Sequence, residues 1–177
     1  MRMTFLNPDI AIKSLGILPG MRVADFGAGA GHWAMAFARA VGPNGKVFAI
    51  DIQQTALEAI RSHARDARMH TIETVRANLE TPRATALADS SVDAVMISNM
   101  LFQAEEKAVV IAEAARIVKP QGSVFLIEWD TADTVMGPPG NRRVSRQDAE
   151  RLCKDAGLHF KKEFAAGSHH YGLIFNK

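Results

Sequence analysis

The stretch Val23-Ala24-Asp25-Phe26-Gly27-Ala28-Gly29-Ala30-Gly31 limits what this chain can fold into more than any other. Apolar residues lead into an acid, three glycines alternate, and a helix-forming run starts at once with His32-Trp33-Ala34-Met35-Ala36. That order reads as a buried strand, a tight turn and a helix start, the arrangement that brings bare backbone against a nucleotide-like ligand. The spacing then discriminates between ligands. A dinucleotide fingerprint is G-x-G-x-x-G, whereas here the third glycine comes one residue early. Asp25 also sits badly beside a pyrophosphate and suits a ligand with a cationic amino-acid group and no phosphate. S-adenosylmethionine is such a ligand.

Segments further along extend the pattern. Lys46-Val47-Phe48-Ala49-Ile50 reads as a second strand ending in Asp51. An acid about 20 residues past the glycines is placed to accept hydrogen bonds from ribose hydroxyls. Asp51 alone fits any adenosine-containing cofactor. A third strand, Ile72-Glu73-Thr74-Val75-Arg76-Ala77, runs into Asn78-Leu79-Glu80. Asp89-Ser90-Ser91-Val92-Asp93 leads into a fourth strand, and Arg116-Ile117-Val118-Lys119-Pro120-Gln121-Gly122-Ser123 into a fifth. In this order, from about Leu15 to Asp130, the segments resemble the class I S-adenosylmethionine-dependent methyltransferases. In general style they are similar to the small-molecule branch of that family.

The resemblance implies S-adenosyl-L-methionine as cofactor, held by Asp25, Gly27, Ala28, Gly29, Gly31, Asp51, Ile52, Asn78, Leu79 and Asn99. Asn78 stands where family members often carry an Asp that receives the adenine amino group; the Asn carbonyl oxygen accepts the same bond. Gln121 stands where a glycine is more usual. Asn99-Met100-Leu101-Phe102 does not resemble the Asn/Asp-Pro-Pro-aromatic motif used on exocyclic amines of bases. The acceptor implied is a small molecule, with RNA or protein modification, or a binding module without turnover, as alternatives.

Alternating strand and helix patterns imply a mostly parallel sheet covered on both faces, a Rossmann-like three-layer α/β/α sandwich. Asn7-Pro8-Asp9 starts a short helix ending at Gly16, and longer helices are expected over His32–Val41, Gln54–Arg68 and Ala104–Val118. The last of these sets Ala108, Ile111, Ala115 and Val118 on a core-facing stripe. Ser145 is a good N-cap for a final helix, with Asp148 three residues on. Two strands remain, His159–Phe164 and Tyr171–Asn176, and their short link makes them an antiparallel hairpin. Seven strands with the last antiparallel is also what the resemblance implies.

The length of 177 residues suits one domain, residues 1–20 forming an N-terminal helix and lid. No apolar run reaches the roughly 20 residues of a membrane span, and the start lacks the features of a signal peptide. Cys153 is the only cysteine. A reducing cytoplasm is therefore the expected location, and the cysteine-dependent arsenite methyltransferases are excluded. A formal charge of +2 is too small to argue for nucleic acid, although Arg142, Arg143, Arg146, Arg151, Lys154, Lys161 and Lys162 could make a basic edge. No metal site is expected, because no histidines stand at ligand spacing. A homodimer stays open.

Methyl transfer from a sulfonium needs alignment and exclusion of water, and a base only where the acceptor must lose a proton. The beginning of the antiparallel strand falls on the cofactor side of the sheet. His169, His170 and Tyr171 are therefore the candidate catalytic residues, the histidines as general base. His32, in the first turn after the glycines, is placed to touch the methionine moiety or the acceptor.

Overall fold

A computed structural model describes residues 6–131 and 136–177. Its strands are β1 (Arg22–Phe26), β2 (Lys46–Asp51), β3 (Ile72–Arg76), β4 (Val92–Ser98), β5 (Val118–Trp129), β6 (His159–Phe164) and β7 (His170–Asn176). They form one sheet in the order β3-β2-β1-β4-β5-β7-β6. β1 to β5 pair in parallel, and β7 runs antiparallel to both β5 and β6. The helices are α1 (Pro8–Ala11), α2 (His32–Val41), α3 (Gln54–Asp66), α4 (Lys107–Ile117) and α5 (Arg146–Asp155).

Central strands covered on both faces must be apolar on both. Val23, Ala24, Asp25 and Phe26 are all buried in β1, and Val95, Met96 and Ile97 are fully buried in β4. One core packs α4 and α5 residues such as Ile111, Ala114 and Cys153 against Ile97, Leu126 and Leu173. The other packs Trp33 and Phe37 of α2 against Val23, Met96 and Phe125. In α2 the Trp33 and Phe37 rings stack at 5.6 Å. Among the described residues no helix is long and apolar enough to cross a membrane.

The structure differs from the sequence expectation in places. α4 begins at Lys107 and not at Ala104, and Ala108 faces solvent; Val110, Ile111, Ala114, Ala115 and Ile117 make the buried stripe. The shift follows from Glu80, whose Oε2 accepts the N–H groups of Glu105 and Glu106 at 2.7 and 2.8 Å and holds that segment out of the helix. Val118 opens β5, which pairs Val92 with Val118 before a register shift brings Ala94 opposite Ser123. Gln121 lies in that irregular stretch at φ +65°, a left-handed position where a glycine is less strained. The final helix is capped as expected: Ser145 Oγ accepts the Asp148 N–H at 3.1 Å.

Candidate active site

From β1 the chain moves outward through β2 to β3, then returns to β4 on the other side of β1. Such a reversal leaves a crevice beyond the carboxyl ends of the two strands. Two cavities occupy it. The smaller, about 310 Å³, is lined by Gly27, Gly29, Asp51, Ile52, Asn78, Leu79 and Met100 among others. The larger, about 1050 Å³, takes in Ala28, Gly31, His32, Met35, His63 and Asn99, with Asn7 and Ile10 from the N-terminal segment. Gly27 lines both.

All three glycines of the turn have positive φ: +68°, +50° and +81° for Gly27, Gly29 and Gly31. Their surroundings differ. A β-carbon at Gly31 would stand 2.7 Å from Ile60 Cγ1, so this glycine lets the turn pack on α3. At Gly29 the nearest atom would be 3.8 Å away, leaving open space over the backbone. Gly29 is where a ligand has room to approach.

Asp51 ends β2 beneath that space. Its Oδ2 accepts the Gly29 N–H at 2.8 Å and its Oδ1 the Gln53 N–H at 2.9 Å. Each oxygen keeps a lone pair for a further donor. Ile52 beside it is 53% exposed, an apolar surface left bare on the cavity wall. Asn78 is exposed, and its Oδ1 accepts the Glu80 N–H at 3.1 Å.

Asn99 lies across the crevice at φ +52°. Left-handed backbone in a residue other than glycine is strain that clusters at functional positions, and Asn tolerates it best. Its N–H donates to the Ile127 carbonyl at 2.8 Å, while its side-chain Oδ1 is buried without a partner. Asp9 of α1 and Arg39 of α2 form an ion pair at the rim of the larger cavity.

Asp25 lines neither cavity, where the sequence sets it against the ligand. It is 1% exposed and lies behind the turn, facing the backbone N–H of Ala34 at the uncapped start of α2. Burial pushes its carboxyl up to about 8, with the Ala34 N–H pulling it down and Asp51 adding to the rise. Its Oδ2 has no hydrogen-bond partner.

The hairpin residues also depart from expectation. Tyr171 is buried, and its hydroxyl donates to the Val144 carbonyl at 2.8 Å. That phenol is committed to the packing of α5, burial raises its pKa further, and a catalytic role is withdrawn. His170 stacks on Trp129 with ring centroids 4.2 Å apart, and burial lowers its pKa, with His169 adding to the effect. Both ring nitrogens of His169 and Nε2 of His170 are buried without partners. His170 lines a separate hollow with Arg146 and Glu163. Neither histidine is among the lining of the two cavities at the crevice. Nothing among the described residues accounts for their unpartnered nitrogens.

Several cations of the expected basic edge are occupied. Arg143 donates to the carbonyls of Asp130, Met136 and Pro138. Arg146 pairs with Glu163 and Asp130, and Arg151 with Asp148. Residues 1–5 of the segment expected as a lid, and residues 132–135 after β5, lie outside the described residues.

Two further carboxylates bear on the crevice. Glu80 ties the start of α4 to the wall of the smaller cavity, and Glu128 is fully buried beneath the turn after β4. The arrangement offers spare carboxylate lone pairs at one end, a bare glycine backbone between, and an unpartnered amide oxygen at the other. A ligand with hydroxyl donors at one end and a cation at the other matches that set.

Residues 23–122 match the family model described as a methyltransferase domain. A demethylmenaquinone methyltransferase of Lactococcus lactis is 30% identical over 117 residues, covering 66% of this chain and 45% of the relative. A ubiquinone/menaquinone biosynthesis C-methyltransferase of Shewanella halifaxensis is 32% identical over 119 residues, 67% of this chain and 46% of its own. The chain spans about half the length of the curated relatives it matches. A SAM-dependent methyltransferase from Aquifex aeolicus superposes with a TM-score of 0.87 over 97% of this chain and 89% of that one, at 24% identity. That likeness is one of fold.

Proposed function

The chain belongs to the class I S-adenosylmethionine-dependent methyltransferases, and on that premise we propose that it transfers a methyl group to a small organic acceptor in the larger cavity. The observation that carries the reading is that the two cavities meet at Gly27, one lined by Asp51 and the other by Asn99. Bound S-adenosylmethionine supplies a methyl group already activated by the sulfonium charge.

The chain's own residues bind and align. Asp51 accepts the ribose hydroxyls with its spare lone pairs, Asn78 meets the adenine edge, and Ile52 and Leu79 give its ring apolar cover. The turn Gly27–Gly31 lets the backbone lie close to the cofactor. Asn99 turns its unpartnered oxygen toward the cationic end. Asp25 acts from behind, holding the start of α2 through the Ala34 N–H. The N-terminal segment with Asn7 and Ile10 covers the acceptor and excludes water, as the lid of a single domain. Where the acceptor must lose a proton, His32 in the cavity lining is better placed to take it than the hairpin pair His169 and His170.

The names of the relatives, a demethylmenaquinone methyltransferase and a ubiquinone/menaquinone biosynthesis C-methyltransferase, support a small acceptor over RNA, as does the engagement of Arg143, Arg146 and Arg151 within the chain. The test is calorimetric titration with S-adenosylmethionine and NAD, then transfer of labelled methyl to a panel of demethylated quinols and to RNA. Saturable binding of the first ligand alone and label on a quinol are the expected results. Preferential binding of NAD, or label confined to RNA, overturns the reading.

A further inference from the structure

β5 lies beside β4 and carries a carboxylate that the binding scheme above does not use. Glu128 is fully buried, and its Oε1 accepts the Leu101 N–H at 2.6 Å. Its other oxygen, Oε2, has no partner. An unpartnered carboxylate oxygen in a dry interior is costly, so the bond that Glu128 does make has to be weighed. Charged acceptors make the shorter and stronger bonds to backbone N–H groups. Burial raises the Glu128 carboxyl to about 7, with the Leu101, Met100 and Phe102 N–H groups opposing the rise.

What Glu128 holds is the turn after β4. The Gln103 and Ala104 N–H groups close that turn on the Met100 and Leu101 carbonyls at 3.1 and 3.2 Å. The turn straddles the junction of the cavities, with Asn99 on the larger and Met100 on the smaller. A β-carbon at Gly27 would stand 3.1 Å from Met100 Cγ, so the Met100 side chain lies over the glycine that both cavities share.

We propose that Glu128 is a positioning residue for methyl transfer: by anchoring the Leu101 N–H it fixes Met100 over Gly27 and Asn99 against the larger cavity, and so sets where the methyl group faces the acceptor. The inference rests on the methyltransferase reading above. It assigns Glu128 no contact with substrate or cofactor.

S-adenosylmethionine and S-adenosylhomocysteine differ only in the transferred methyl and its charge, so the ratio of their affinities reports on the junction. Titration of the wild-type chain comes first. Failure to bind either ligand overturns the methyltransferase reading before Glu128 enters the test. Given binding, Glu128→Ala is expected to weaken S-adenosylmethionine about tenfold, as loss of a buried acceptor does, and S-adenosylhomocysteine less. The Leu101 amide should lose protection from hydrogen exchange in the same variant. Glu128→Gln, whose amide oxygen accepts the same N–H, should recover the affinity ratio to within about threefold. Met100→Ala leaves the buried carboxylate in place and should move the same ratio, which keeps the test decisive if Glu128→Ala does not fold. An unchanged ratio in Met100→Ala, wild-type affinities in Glu128→Ala, or equal weakening of both ligands overturns the proposal.

Discussion

The two wings of the sheet put their polar residues to opposite uses. At the ends of β2 and β3, Asp51 and Asn78 each take a backbone N–H two residues on, from Gln53 and Glu80, and Asp51 also takes the Gly29 N–H of the turn, 22 residues back. Those bonds fix the side chains on the wall of the smaller cavity and leave lone pairs over. Beyond β5 and at the start of β7, Glu128 and Tyr171 reach 27 residues along the chain, to Leu101 and Val144. Such bonds cross the interior and leave the side chain buried. The span of a bond does not separate the two sets; what does is that Asp51 and Asn78 line a cavity of the crevice whereas Glu128 and Tyr171 line neither.

The sharpest way to break this comparison is to place one side chain at two glycines. Gly29→Leu should abolish S-adenosylmethionine binding in calorimetry, because its side chain enters open space over the turn. Its stability should fall only by the left-handed strain, about 1–2 kcal/mol, by denaturant melting. Gly31→Leu adds a collision with Ile60 and should cost about 2–5 kcal/mol of stability by denaturant melting. Retained binding in Gly29→Leu would undo the assignment of the turn. Next in size, Asp51→Ala should weaken the cofactor by about 1–3 kcal/mol, and an unaltered dissociation constant would remove Asp51 from the binding wing.

Asp25 gives a pH signature. The folded chain keeps its proton up to about 8, whereas the ordinary value is 3.8. Between those values the folded state holds more protons than the unfolded, so stability falls as pH rises. Asp25→Asn should flatten the decline in melting temperature from about pH 5 to about pH 8. Glu128 contributes a decline of the same sign, through a carboxyl raised to about 7. An identical slope in the variant would mean that the carboxyl ionises without cost. The smallest effect is expected from Tyr171→Phe, which should lose about 0.5–1.5 kcal/mol of stability with unchanged cofactor affinity. Lost turnover at full stability would return the phenol to the catalytic candidates.

This division also explains what could be read in the sequence. The glycine turn is legible because its geometry is set by neighbours, Asp51 because it ends the next strand about 20 residues on, and the alternation of strand and helix needs only local periodicity. Even the hairpin and the direction of β7 follow from the short link between its strands. The role of Tyr171 was not legible, since its partner Val144 is brought near by the docking of α5. Asp25 shows the same limit in miniature. Its spacing from the glycines is plain, but its burial behind the turn depends on how α2 packs. The start of α4 was misplaced because Glu80, 25 residues upstream, takes the N–H of Glu105. Bonds of that span leave no periodic trace.

Gly27 lines both cavities, so a ligand that reaches from one into the other passes this residue and meets two sets of anchors. A ligand that fills both loses its translational freedom once. Its second half then meets the protein at an effective concentration on the order of millimolar or above. Adenosine and methionine offered separately gain nothing from this linkage. The by-product S-adenosylhomocysteine keeps both anchors after the methyl has gone, so fresh donor must compete with it for the same grip. Under the proposed function, product inhibition by S-adenosylhomocysteine is the expected consequence of that common grip.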